Sequence, residues 1–135
     1  MASLILWAET RARTSGQAVF VYLYDHPYGG GEFARFGAFH TSEVPFVFGA
    51  LGRGEVTPTP ADYRVSAQLQ AYWTAFFRAD APDPAGLPPW SRVQPASVAV
   101  MGLGDHLGPR PAVSTPARLE LFRAYVAGGG KLSLF

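Results

Sequence analysis

Cysteine does not occur anywhere in the 135 residues. A disulfide framework and a thiolate metal site are thereby excluded. Lysine occurs once, at Lys131, and the arginines, among them Arg13, Arg35, Arg53, Arg64 and Arg78, are scattered rather than clustered. With a net charge of +1, the chain lacks the basic face that a phosphate backbone requires, which argues against a nucleic-acid partner. No apolar run approaches the roughly 18 residues of a membrane span. The opening stretch, Met1 to Thr10, has no basic n-region, and its apolar run ends at Glu9. It is not expected to act as a secretory signal. As written the chain reads as soluble and cytoplasmic, with any leader lying upstream of these residues.

Several site signatures are missing too. Gly29-Gly30-Gly31 is followed neither by Lys-Ser or Lys-Thr nor by a helix, so it reads as a connector rather than a phosphate cradle. His26, His40, His106 and Glu43 are ligand types, and His40-x-x-Glu43 spaces two of them three residues apart. There is no H-E-x-x-H, however, and Pro45 argues against a helix across this segment, so neither a metal nor another cofactor is expected. The serines stand at positions 3, 15, 42, 66, 91, 97, 114 and 133. None lies in the G-x-S-x-G turn that exposes a nucleophilic serine.

What is present is an apolar chain: 48% of its residues are hydrophobic, enough for a core and too many for a disordered tail. Leu4 to Arg13 reads as a short helix with Leu4, Trp7 and Ala8 on one side, and Gly16 as its left-handed terminator. Ala18 to Tyr24 is β-branched and aromatic without alternation. Such a strand is normally covered on both faces, as in the parallel sheet of an α/β fold. Thr59-Pro60-Ala61-Asp62 announces a helix: a cap, a proline at the first position and a carboxylate in the first turn. Val65, Leu69, Tyr72, Trp73 and Phe76 follow as its core-facing seam. The spacing stops this helix before Ala81-Pro82. Trp90 anchors the proline-rich loop before it. Ser97 to Leu103 reads as a second strand, Gly104 to Pro111 as a turn-rich loop, and Thr115-Pro116 as the start of a last helix whose face is Leu119, Phe122 and Val126, ended by Gly128-Gly129-Gly130.

The stretch from Phe36 to Gly49 stands apart. His40 sits in it among small residues and aromatics, in a loop just after the apolar strand. Loops at the carboxyl ends of buried strands are where α/β proteins place their chemistry. An imidazole there can serve as a general base if a carboxylate orients it. Asp25 and Glu43 are the nearby acids that could orient it, but their spacing singles out neither as its partner.

Four blocks, in order, resemble the C-terminal part of the type B carboxylesterases, the family that includes the cholinesterases. Val19 to His26 is similar to the family's strand "v-y-v-Y-x-F-d-h". Gly37 to Gly49 is similar to "G-A-x-H-x-x-E-x-p-y-v-F-g", the most specific block. Asp62 to Phe77, with Ser66, Tyr72-Trp73 and Phe76, resembles "D-x-x-l-S-x-x-x-x-x-Y-W-x-x-F", and Leu87-Pro88-Pro89-Trp90 resembles "l-P-x-W-P". Two departures, Asp80-Ala81-Pro82-Asp83 in place of "G-x-P-N" and Ser91 in place of a proline, fall in loops.

The resemblance implies an α/β-hydrolase fold, with residues 1–135 forming the C-terminal part of one such domain and its N-terminal part absent. It implies hydrolysis of small carboxylic esters, with His40 as the triad histidine. Glu43 matches a glutamate expected to support the His40 loop, and the serine nucleophile and triad acid are not in this chain. The alternatives are a catalytically inactive fragment or an interaction module of the same fold. The strand Ala18–Tyr24 has few partners within the chain, so the expected companions are the missing N-terminal part or a second copy of the chain.

Overall fold

The computed structural model describes residues 1–94, 98–111 and 115–132. Among them are four α-helices and three strands: α1 (Ala2–Thr14), β1 (Val21–Tyr24), α2 (Val44–Val47), α3 (Pro60–Ala79), β2 (Val100–Leu103), β3 (Gly108–Arg110) and α4 (Pro116–Ala127), with a 3-10 turn at Phe33–Phe36. The strands form one sheet in the order β1-β2-β3. This is a small mixed α/β structure.

β2 is buried along its whole length. The sequence expectation began this strand at Ser97, which lies outside the described residues, and the ladder itself starts at Val100. β1 is shorter than the apolar run that announced it, and all four of its residues are only half-buried. Its covering on both faces is therefore incomplete within this chain. β3 was expected as part of a loop, because Gly108 and Pro109 break the pattern of a strand. A proline is compatible with a ladder at a sheet edge, where its missing N–H is not needed, and β3 is an outer strand.

The chain divides into two compact units. One comprises Met1–Val21, Ser91–Met101 and Pro109–Phe135. In it, α1 buries Ala2, Ile5, Ala8 and Glu9. This differs from the expected stripe: Ala8 is inside, but Leu4 is 41% and Trp7 51% exposed. The buried face turns by one position because Glu9 goes inward. Both carboxylate oxygens of Glu9 accept from the guanidinium of Arg123 on α4. Such a two-pronged pair satisfies the acid's lone pairs and offsets its loss of water. Arg11 and Arg13 complement the carbonyl end of α1, and Gly16 takes the expected left-handed conformation just beyond it. The amide of Val93 donates to Val19 at 2.7 Å. α4 starts at the expected cap, with the Thr115 hydroxyl accepting from the Arg118 amide. It has no fully buried residue, and Val126, assigned to its inner face, is exposed.

The other unit comprises Tyr22–Trp90 and Gly102–Gly108. Its long element is α3. Thr59 and Asp62 form a reciprocal capping box with Pro60 in the first turn, and Asp80 ends the helix in a left-handed conformation. Val65, Leu69 and Tyr72 are fully buried as the spacing predicts, while Phe76, at the far end of the seam, is partly exposed. Each fully buried aliphatic chain here stabilises the unit by about 1.5–3 kcal/mol. The Tyr72 hydroxyl donates to the carbonyl of Pro88 at 2.7 Å, and burial, then the charge of Asp83, pushes its pKa up to about 12. Trp90 is 8% exposed and meets Tyr22, Tyr72 and Trp73 with ring centroids 5.7–5.9 Å apart. The anchoring expected of Trp90 is thus made by an aromatic cluster on α3 and β1.

Candidate active site

The His40 segment is built from consecutive tight turns. The 3-10 turn Phe33–Phe36 is stopped by Gly37 at φ +61°. The chain then folds back on itself between Phe39 and Ser42. The Ser42 amide donates to the Phe39 carbonyl at 3.0 Å, and the Phe39 amide to the Ser42 hydroxyl at 3.1 Å. Ser42 is buried and His40 is exposed. Thr41 holds φ at +71°, a left-handed conformation that a β-branched side chain rarely adopts. Strain of this kind costs about 1–3 kcal/mol and clusters at functional sites.

Immediately after this turn comes α2. Pro45 was expected to preclude helix in this neighbourhood. Instead it occupies the first turn of α2, where the missing N–H has no partner to lose. The amides of Phe46 and Val47 both donate to the Glu43 carbonyl at 3.0 Å, and that of Val44 to the Thr41 carbonyl at 3.1 Å. His40, Glu43 and Phe46 are therefore carried on one continuous hydrogen-bonded run.

Glu43 is half-buried. Its Oε1 lies 3.5 Å from the Tyr22 hydroxyl, at the long limit of a hydrogen bond. Burial, and then the charge of Glu43, raise the pKa of Tyr22. Among the described residues no hydrogen bond joins His40 to Glu43. Glu43 borders a cleft of about 430 Å³, lined also by Val44, Gln70, Trp73 and Phe77. His40 is not among its lining residues.

Asp25, the other acid weighed as an orienting group, does hold an imidazole, but that of His106: its Oδ2 is 2.7 Å from His106 Nδ1. His26 is bound in the reverse sense, its Nδ1 2.6 Å from Asp105 Oδ1. The two Asp-His dipeptides at 25–26 and 105–106 thus cross, each histidine meeting the other's aspartate. Gly104 makes the crossing possible. Its φ is +133°, and a Cβ there would stand 2.6 Å from Asp25 Oδ1 and 2.8 Å from the His26 amide nitrogen.

The other ring nitrogen of His26, Nε2, lies 2.9 Å from Asp62 Oδ1. Asp62 is 1% exposed. It also accepts from the Gly29 amide at 3.2 Å and from the amide and hydroxyl of Thr59. Burial works to raise the pKa of Asp62, but the hydrogen bonds from Thr59, Gly29 and His26 outweigh it and hold the carboxyl below its ordinary value. From the sequence Asp62 was expected only as a carboxylate in the first turn of α3, and His26 as a loop residue. The signal that was available is the repeated Asp-His dipeptide, one copy directly after β1 and the other one residue after β2. The arrangement is an ion-pair clasp, and among the described residues no three ligand-type side chains gather as a metal site.

Phe46, fully buried, sits at the centre of this region. The rings of Tyr24, His26 and Tyr28 approach it at centroid distances of 5.2–5.6 Å. Burial first, and then the negative charges of Asp62 and Glu43, push the pKa of Tyr24 up. The exposed imidazole of His40 consequently rides on a turn whose root is locked into an aromatic and ionic core.

No individually curated protein matches the chain. The model of the Carboxylesterase family matches residues 2–117, a range that takes in the His40 turn, α2, all of α3 and the three strands. With most of its length matched in this way, the chain belongs to the carboxylesterase family.

Proposed function

We propose that residues 1–135 form the C-terminal, histidine-bearing part of a serine carboxylesterase domain of the α/β-hydrolase fold, and that His40 is its general base. The observation that carries this reading is His40 itself: an exposed imidazole beside a strained residue, in a turn that follows β1, inside the matched range of an ester-hydrolase family. The half-buried state of β1, apolar on both faces, supports the further point that the domain continues beyond this chain.

In the proposed reaction on a small carboxylic ester, His40 takes the proton of a serine hydroxyl as that oxygen attacks the ester carbonyl. It then gives the proton to the departing alkoxide, and repeats the exchange with water to release the acid. The serine, its oxyanion hole and the acid that orients His40 belong to polypeptide outside these residues. Glu43 supports the loop through its backbone carbonyl, which receives the amides of Phe46 and Val47, and through Tyr22.

The test is hydrolysis of a p-nitrophenyl ester. In the longest natural form carrying this chain, His40→Ala should lower kcat by about 10⁴-fold or more, whereas the 135-residue chain alone should not exceed free imidazole. Normal turnover by the His40→Ala enzyme would remove the assignment.

A further inference from the structure

We propose that Ser66 of α3 is a positioning residue for His40, acting with Gln70 through the carbonyl of Phe46. The inference rests on the reading of His40 as the base, and it concerns how that imidazole is held in place.

The His40 turn and α2 form one hydrogen-bonded run, so whatever fixes α2 fixes the turn. Within that run the polar tie to α3 is made at Phe46. The Ser66 hydroxyl donates to the Phe46 carbonyl at 2.7 Å. Ser66 is 3% exposed and Phe46 fully buried, so water cannot replace the bond, and a buried carbonyl without its donor is costly. A serine hydroxyl rotates freely and needs something to aim it. Gln70 does this: its Nε2 donates to Ser66 Oγ at 3.0 Å, which leaves the hydroxyl proton for Phe46. The same amide lies against Gly49, the residue that closes the segment. A Cβ at Gly49 would come within 3.1 Å of Gln70 Oε1.

Asp62, Ser66 and Gln70 are spaced four residues apart, so they lie along one face of α3. Asp62 holds the loop after β1 through Gly29 and His26, Ser66 holds the middle of α2, and Gln70 abuts the exit at Gly49. The three side chains form a polar ladder along one face of α3. Packing alone does not need a ladder: an alanine at 66 would fill the same space with no hydroxyl to satisfy. Its effect is to set the height of the His40 turn over α3.

The experiment is NMR on this chain with labelled histidine and backbone nitrogen, comparing wild type, Ser66→Ala and Gln70→Ala. In Ser66→Ala the amides of Phe46, Val47 and Phe48 should exchange about tenfold faster relative to those of Val65–Tyr72, the equilibrium factor of one buried hydrogen bond. The His40 Cε1–H signal should shift and broaden. Gln70→Ala, at an exposed site, should move both readouts the same way by about threefold, and it decides the matter if Ser66→Ala does not fold. Equal acceleration in α2 and α3, or an unmoved His40 signal, would overturn the proposal, since a residue that only stabilises the fold leaves the native imidazole where it was. An undiminished esterase rate in His40→Ala would instead sink the reading of His40 and leave the NMR comparison standing.

Discussion

Replacing Asp62 with alanine tests the clasp at its most connected point. The carboxylate accepts four hydrogen bonds, from the Thr59 amide and hydroxyl, the Gly29 amide and His26 Nε2. Losing the Asp62 half of the capping box costs about 0.5–1.5 kcal/mol, since Thr59 remains the cap. Leaving one partner of a buried ion pair behind costs roughly 3–5 kcal/mol, and the abandoned Gly29 amide adds a desolvation penalty of about 1–3 kcal/mol. These effects share one side chain and do not sum, so the expected loss is about 3–5 kcal/mol. Asp62→Asn keeps one acceptor oxygen and should lose less. Urea unfolding followed by fluorescence of Trp73 and Trp90, which belong to the same unit, measures both. The loss also has a pH signature. Because the folded carboxyl is held below its ordinary value, its contribution is complete above the unfolded pKa of about 3.9. It disappears as the pH falls through the folded value. The gap between wild type and Asp62→Ala should therefore narrow as the pH falls into the acid range. A difference under about 1 kcal/mol at neutral pH, or a gap that widens in acid, would refute the reasoning.

Two further substitutions probe other contacts. Gly104→Ala puts a methyl against the Asp25 carboxylate and the His26 backbone in a conformation that disfavours side chains, and should cost roughly 2–3 kcal/mol; an unchanged urea midpoint would show that the crossing relaxes freely. Glu9→Ala leaves Arg123 without its buried partner, but the guanidinium is about one-third exposed and can turn to water. The expected loss is about 1–2 kcal/mol, read by the same unfolding assay, and a neutral effect would count against Glu9 as the tie between α1 and α4.

The parts of the fold that were legible in the sequence are those with local causes. α3 is announced by Thr59, Pro60 and Asp62, and its seam by spacing alone, because caps and periodicity act within a few residues. Where the cause is distant the reading failed. Glu9 lay outside the expected apolar side of α1, and it is Arg123, more than a hundred residues later, that makes its burial tolerable. β3 looked like a loop because Gly108 and Pro109 mask a strand that only its neighbour β2 stabilises. The His40 turn was legible through its resemblance to a family and through its small residues. The strain at Thr41 was not, since nothing in the residue type announces a left-handed backbone. Asp62 was read as a first-turn carboxylate and not as a partner of His26, because one oxygen serves the local turn and the other serves a residue 36 positions away.

The crossed Asp-His dipeptides have a consequence for the order of folding. α3 and its capping box need only residues 59–79, and they can form as soon as that stretch is free. His26 cannot complete its contacts until Asp105 arrives, 79 residues further along the chain. A contact of that separation is entropically late, because a long loop must close before it is rewarded. During synthesis the His40 region therefore exists first as a helix and turns with one face of His26 unmatched. Its ionic core closes only when the segment after β2 has left the ribosome.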